Sequence, residues 1–258
     1  MLQPFQHRIV SEGEVSMMVF NGQFTHAILK KAKAGDFRVQ DVELGGQGAP
    51  LVPIGDLLLF GEYDYCLNLG GFANVSTEKE GKRIAYDICA VNTVLNLYAQ
   101  KLGKPYDAEG AFAKAGTIHK PLLEELNGLP YFQKEPPKSL GVEWVHKTIF
   151  PIIETYKLSP QDVLATFTEH IAVQLASQFE AESKVLVTGG GAFNAWLLER
   201  VQFHQNIHLI LPEDRLIEFK EALVFALLGV LRLEEKINVL SSVTGASKDH
   251  CAGILYNP

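Results

Sequence analysis

The sequence predicts an α/β fold, and three observations predict it. Three β-prone segments between Asp64 and Ile88 are separated only by a glycine pair and a short polar turn. Helical patterns dominate after residue 91. Two of these helices follow short strands, a buried one at Lys184–Thr188 and another at Ile207–Leu211, and a succession of strand–helix units builds layered α/β architecture.

The chain has 258 residues, 47% of them hydrophobic and 21% charged, which fits one large domain or two small lobes. A formal net charge of -7 argues against an extended nucleic-acid surface, but a few loops can still bind a phosphorylated ligand. Cys66, Cys89 and Cys251 are odd in number and show no CxxC spacing, the pattern of reduced thiols in a cytoplasmic protein. Cys66 and Cys89 lie in apolar runs and are expected in the core. No run reaches membrane-spanning length, and Met1–Val10 has no signal-peptide core, so no membrane partner and a cytoplasmic location are expected.

The elements follow in order. Val15–Phe20 and Phe24–Lys30 flank Asn21-Gly22, a dipeptide that favours the positive φ angles of a tight hairpin. Lys33–Val39 is short and basic, and the glycines and prolines of Gln40–Pro53 read as a loop or crossover. Asp64–Leu69, Phe72–Thr77 and Arg83–Ile88 form a three-stranded antiparallel meander. Val91–Leu102 is a helix ended by Gly103-Lys104-Pro105. Ala108–Ala115 and Lys120–Leu126 are short helices, Tyr131–Lys138 is irregular, and Pro151 kinks or divides a helix over Val142–Tyr156. Ser159–Glu182 is a helix with Ser159 as N-cap, Pro160 in the first turn and Leu164, Phe167, Ile171, Leu175 and Phe179 on one face. A glycine triplet turns strand Lys184–Thr188 into a helix over Ala192–Phe203. Glu218–Glu235 is apolar nearly all round at Ala222–Leu231, the pattern of a helix sandwiched between layers.

Two loops carry the chemistry. In the first, Asn68, Gly70, Gly71 and Asn74 combine paired glycines, which let backbone N–H groups approach an anion, with neutral polar groups that can reach phosphate or metal-bound water. A plain hairpin is the alternative. In the second, Gly189, Gly190 and Gly191 join a buried strand to a helix N-terminus, a geometry that suits an anion or nucleotide. It has neither Walker nor GxGxxG spacing. Asp87 ends the third meander strand, where a carboxylate is placed as a general base or to act through water on magnesium; capping Ala90–Thr93 is equally open. Glu221 is either a solvent-edge residue or a ligand contact, and Arg38 can pair with a carboxylate. His204 and His208 have i,i+4 spacing, but Pro212 and the following strand argue against a helical metal pair.

From about Asp36 onward the chain resembles the anhydro-N-acetylmuramic acid kinase family. The matching stretches are DFRVQDVELGGQGAPLVPIGD (36–56), LNLGGFANVS (67–76), YDICAVN (86–92), GKPYDAEGAFAKAG (103–116), PYFQKEPPKSLGVEW (130–144), TGGGAFN (188–194), EALVFALLG (221–229) and SSVTGA (241–246), in family order. The resemblance implies an actin-like, two-lobed sugar-kinase fold that uses ATP, magnesium and water to open a 1,6-anhydro sugar and phosphorylate O6. It makes Asp87 the catalytic aspartate and Arg38 and Glu221 sugar contacts. By the same resemblance Asn68, Gly70, Gly71, Asn74, Gly189, Gly190 and Gly191 would line the nucleotide cleft, and a homodimer is expected. Many members have glycines where this chain has Cys89 and Val91. The Gly-Thr-Ser-x-Asp-Gly phosphate loop of the first lobe is absent, so residues 41–62 read as a crossover from an incomplete first lobe and 63–258 as the ATP- and sugar-binding lobe. Phosphoryl transfer draws on both lobes, so activity is expected to suffer. Residues 1–40 resemble the last part of an ATP-grasp ligase, with Glu14 and Lys30 in a GExS–hairpin–HAxLK pattern. The competing readings are a non-catalytic relic that binds nucleotide weakly or a partner, and a ligase.

Overall fold

The structure is a computed structural model that describes residues 14–20, 23–30 and 37–254, with backbone alone for those up to residue 39. Strands β1 (Glu14–Phe20) and β2 (Gln23–Lys30) pair antiparallel, with Phe20 opposite Gln23. The expected hairpin is thus present, although its turn, Asn21-Gly22, lies outside the described residues. A second sheet holds β3 (Tyr65–Leu69), β4 (Phe72–Lys79), β5 (Lys82–Ala90), β6 (Lys184–Thr188) and β7 (His208–Ile210) in the order β5-β4-β3-β6-β7. β3, β4 and β5 form the expected antiparallel meander, while β6 and β7 run parallel to β3. The sheet is therefore mixed, and the fold is α/β.

Two compact units result. One is Leu59–Ala222; the other joins the described residues before Leu59 to those after Ala222. The boundary at Ala222 falls inside the stretch 63–258 that the sequence reading takes as one lobe.

In the first unit, helices crossing over between β5 and β6 cover one face of the sheet. Pro160–Ala176 is central, with Leu164, Phe167, Ile171 and Leu175 all buried. Ser159 caps it as expected, its Oγ accepting from the Asp162 N–H at 3.1 Å. The helix ends at Ala176 rather than Glu182, because Phe179 turns into the core and meets the Tyr65 ring edge-on at 5.1 Å. Pro151 divides Val142–Tyr156: a wide π turn at Val145–Ile149 precedes Phe150–Thr155 and accommodates the missing N–H and the ring.

In the second unit, the predicted loop at Gln40–Pro53 is partly helical. Phe37–Glu43 continues as helix because no glycine or proline interrupts it before Gly45. Helix Val52–Leu59 packs on the later part of helix Asp214–Leu233; a Cβ at Gly55 would lie 2.5 Å from Val224 Cγ2, so only glycine allows this approach. Leu51, Ile54, Val224, Leu228, Leu231, Val239 and Ala252 form the core there. Buried Asp41 accepts from Gly48 N–H at 2.7 Å and Thr244 Oγ1 at 2.8 Å, fixing the glycine-rich turn after its helix. The last long helix is not sandwiched as its composition suggested: Val224, Leu228 and Leu231 are buried, but Phe219, Val230 and Leu233 are at least half exposed. Period, rather than apolar content alone, decided its buried stripe. Among the described residues no helix is long and apolar enough to cross a membrane.

Candidate active site

Strand register assembles the site. Asn68 pairs with Asn74, Asn74 with Asp87, and Asn68 with Thr188, so four strands contribute one polar row. Directly opposed residues share a sheet face. Alternation sends Leu67, Leu69, Val75, Val185 and Val187 into the helix-covered core and the row to the other face. A β-bulge keeps Asp87 in the row: Ala73 pairs with Cys89 and Asn74 with Asp87, leaving Ile88 extra.

The two glycine turns meet at the end of the row. Gly189 has φ +81, and a Cβ there would sit 2.6 Å from Asn68 Oδ1 and 2.9 Å from the Leu69 carbonyl carbon. A Cβ on Gly191 would lie 2.7 Å from Leu69 Cβ. Gly190 differs: its nearest neighbour would be Asn92 Nδ2 at 4.0 Å. The triplet thus combines two glycines needed for packing with one that faces open space.

The Gly70-Gly71 turn docks on the start of helix Asn92–Lys101. Gly71 O accepts from Val91 N–H at 2.9 Å, Thr93 N–H at 3.2 Å and Thr93 Oγ1 at 2.9 Å, and Gly70 O accepts from Asn92 N–H at 3.3 Å. These carbonyls engage the first donors of the helix, so the capping role considered for Asp87 is filled by the glycine turn.

Asp87 is instead held by the segment that runs along the free edge of β5. Its Oδ2 accepts from Leu140 N–H at 2.8 Å, its N–H donates to Lys138 O at 3.1 Å, and its carbonyl accepts from Tyr131 Oη at 2.7 Å. Burial raises the carboxyl above its ordinary range, and the Leu140 N–H opposes that rise. A carboxylate with one oxygen anchored and a raised proton affinity suits a general base.

Beside the glycine triplet lies an open pocket of about 340 Å³ lined by Asn92, Asn96, Tyr106, Glu109, Gly190 and Phe193, among others. Tyr106 and Phe193 are largely exposed there. Asp107, also in the lining, is occupied: its carboxylate accepts from Phe112 N–H at 2.8 Å and Ala113 N–H at 2.9 Å. Asn194 caps helix Ala195–His204 through the Leu197 N–H at 3.0 Å.

That helix is clamped from behind. Glu169 receives a bidentate pair from Arg200, at 2.7 and 2.8 Å, and lies 2.7 Å from His204 Nε2. Burial works against ionisation, but the hydrogen bonds from Arg200 and His204 outweigh it and hold the carboxyl below its usual range. His204 is therefore a partner of Glu169, and His208 faces Glu182 at 3.2 Å, so the two histidines do not form a metal pair. Cys66 and Cys89 are buried and in no disulfide, as expected. Among the described residues no group of three acidic, histidine or cysteine side chains could hold a metal ion.

Comparison with known proteins now bears on this geometry. The family model described as anhydro-N-acetylmuramic acid kinase matches residues 3–258. The chain belongs to the anhydro-N-acetylmuramic acid kinase family. Relatives carrying that name include a protein of Saccharophagus degradans, 36% identical over 99% of this chain and 74% of its own length. One of Sulfurimonas denitrificans is 34% identical over 98% and 74%, and one of Aliivibrio fischeri 37% over 86% and 64%. Among solved structures, an activator of 2-hydroxyisocaproyl-CoA dehydratase from Clostridium difficile with bound ADPNP aligns with a TM-score of 0.40 and 14% identity, over 63% of this chain and 58% of that one.

The kinase-family match begins at residue 3 and so runs through the segment for which an ATP-grasp likeness is expected. Of the site residues read from sequence, Asn68, Asn74 and Asp87 share one row, and Gly70, Gly71, Gly189, Gly190 and Gly191 form the two adjoining turns. Glu221 is exposed on helix Asp214–Leu233 and has no recorded partner among the described residues. Arg38 lies in helix Phe37–Glu43, and its side chain is outside the described residues. Sequence reasoning missed Asn92, Asn96, Tyr106, Glu109 and Phe193 as pocket residues. Tyr106 and Glu109 lie in GKPYDAEG (103–110), Phe193 in TGGGAFN (188–194) and Asn92 in YDICAVN (86–92), where family likeness was the available signal, and Asn96 lies in none of the matching stretches.

Proposed function

We propose that this chain is an ATP-dependent kinase that opens 1,6-anhydro-N-acetylmuramic acid and releases N-acetylmuramic acid 6-phosphate, within an actin-like sugar-kinase fold. The observation that carries the reading is the row Asn68–Asn74–Asp87 running into two glycine turns, in a member of this kinase family. Asp87 takes a proton from water as that water bonds to the anomeric carbon. The bond from that carbon to O6 breaks, and O6 takes the γ-phosphoryl group, leaving ADP. The pocket at Asn92, Asn96, Tyr106 and Phe193 is large enough for a nucleoside, and Gly190 leaves room for a phosphate against the backbone. Arg38 and Glu221 are assigned to the sugar.

Magnesium would neutralise charge on the phosphates when bound. The described residues provide no three-ligand cage for it, which fits an ion carried mainly by phosphate oxygens and water, and no step here is routed through it. The test is ADP release from ATP and magnesium, with and without the anhydro sugar, with the product followed by phosphorus NMR. Sugar-dependent ADP and a new phosphomonoester are expected. A folded chain that yields neither overturns the proposal.

A further inference from the structure

β5 is an edge strand, so the outward N–H and C=O groups of its residues need partners from elsewhere. At Asp87 one segment supplies all of them. Lys138 O accepts from the Asp87 N–H at 3.1 Å, Tyr131 Oη donates to the Asp87 carbonyl at 2.7 Å, and Leu140 N–H donates to Asp87 Oδ2 at 2.8 Å. The strap is itself anchored. Tyr131 is buried, its ring 5.5 Å from Phe132 and 5.4 Å from Trp144, and Lys138 Nζ lies 5.2 Å over it. Pro136 and Pro137 stiffen the stretch between Tyr131 and Lys138 by fixing two φ angles. Covering a strand edge needs only main-chain pairing. The Leu140 bond goes further, because it reaches the side chain and fixes which way the carboxylate faces. Asp87 Oδ1 is left without a hydrogen bond among the described residues.

We propose that the segment Pro130–Gly141 is a positioning strap for the catalytic carboxylate, with the Leu140 main-chain N–H holding Asp87 Oδ2 so that Oδ1 alone receives the proton. The inference rests on the reading of Asp87 as the base. Leu140 and Tyr131 act through Asp87 and are positioning residues. The Leu140 N–H also favours the ionised carboxylate against the effect of burial, so losing it makes the base harder to ionise.

The test has one arm without turnover and one with it. In the wild-type chain, the Leu140 amide resonance is followed across pH beside the Asp87 side-chain carbon. An N–H bonded to the carboxylate shifts with the same midpoint, and D87N abolishes that shift. A Leu140 amide that does not follow the Asp87 midpoint overturns the proposal, and this readout needs no variant at Leu140. L140P removes the N–H, while L140A keeps it. L140P is expected to move both the Asp87 midpoint and the acid limb of kcat/KM upward by about one pH unit. It lowers kcat at neutral pH with KM for ATP unchanged, and L140A behaves as wild type. A folded L140P with an unmoved midpoint overturns the proposal. A chain that makes no ADP with the anhydro sugar, yet whose Leu140 amide titrates with Asp87, overturns the assigned reaction and supports the Leu140–Asp87 link, so the two failures are distinguishable.

Discussion

Substituting alanine along the glycine triplet separates packing from ligand binding. Gly189 has φ +81 and ψ 164, a combination open essentially to glycine alone. Holding a non-glycine residue there costs about 1–3 kcal/mol. The added methyl would lie 2.6 Å from Asn68 Oδ1 and 2.9 Å from both the carbonyl carbon and oxygen of Leu69. Asn68 Oδ1 can rotate away, but Leu69 is fully buried backbone of the central strand, so β3 itself must shift. Overpacking of that kind adds about 1–3 kcal/mol. Gly189→Ala should therefore lose about 3 kcal/mol or more, with a Tm lower by about 6–12 °C. Gly190→Ala meets nothing closer than 4.0 Å and should unfold within about 0.5 kcal/mol of wild type. It places a methyl on the pocket wall, so ATP affinity should still fall. Urea unfolding gives the stabilities and calorimetry the affinities. A Gly189→Ala chain as stable as wild type, or a Gly190→Ala chain that unfolds early, would refute the reasoning.

Three further outcomes are expected. Asp87→Asn keeps an acceptor for Leu140 N–H and should abolish sugar-dependent ADP formation. Burial raises the Asp87 carboxyl, and a raised carboxyl stabilises the fold only while protonated, a contribution lost as pH rises through its folded pKa. The variant should therefore be at least as stable as wild type at neutral pH, as thermal melts across pH will show. Glu169→Ala removes the bidentate partner of the part-exposed Arg200 and should cost about 1–3 kcal/mol. Because the Glu169 carboxyl is held below its usual range, the stabilisation is present above that range and lost as pH falls through the folded pKa, so the wild-type advantage in urea should shrink in acid. His170 is fully buried with its Nδ1 2.6 Å from Asn127 Oδ1, and burial pushes its pKa down to about 3. The unfolded chain binds this proton near pH 6.5 and the folded chain does not, so stability falls from about pH 6.5 towards 3, and the His170 ring resonance stays flat over that range.

The sequence by itself determined the elements whose cause is local. The meander was legible because β-prone runs are separated by the Gly70-Gly71 pair and by a polar turn, observed as Glu80-Gly81 with φ of 52 and 72. Ser159 announced its helix because an N-cap acts within three residues. The glycine triplet was legible as a turn, whereas Asp87, expected at the end of its strand, lies inside β5, which stays paired with β4 as far as Ala90. Errors came where local pattern was insufficient: the end of the Ser159 helix depended on Phe179 reaching Tyr65, far away in sequence. Only tertiary structure decided that Asn68, Asn74 and Asp87 share a row, because register comes from pairing and a one-residue slip would reverse every side chain. The same holds for the Leu140 N–H on Asp87, 53 residues apart, and for Glu169 on Arg200, 31 apart. Turns and caps are set by backbone geometry over a few residues and can be read along the chain. The groups that orient a carboxylate or clamp a helix are brought together by burial and strand pairing, and no stretch of sequence contains them all.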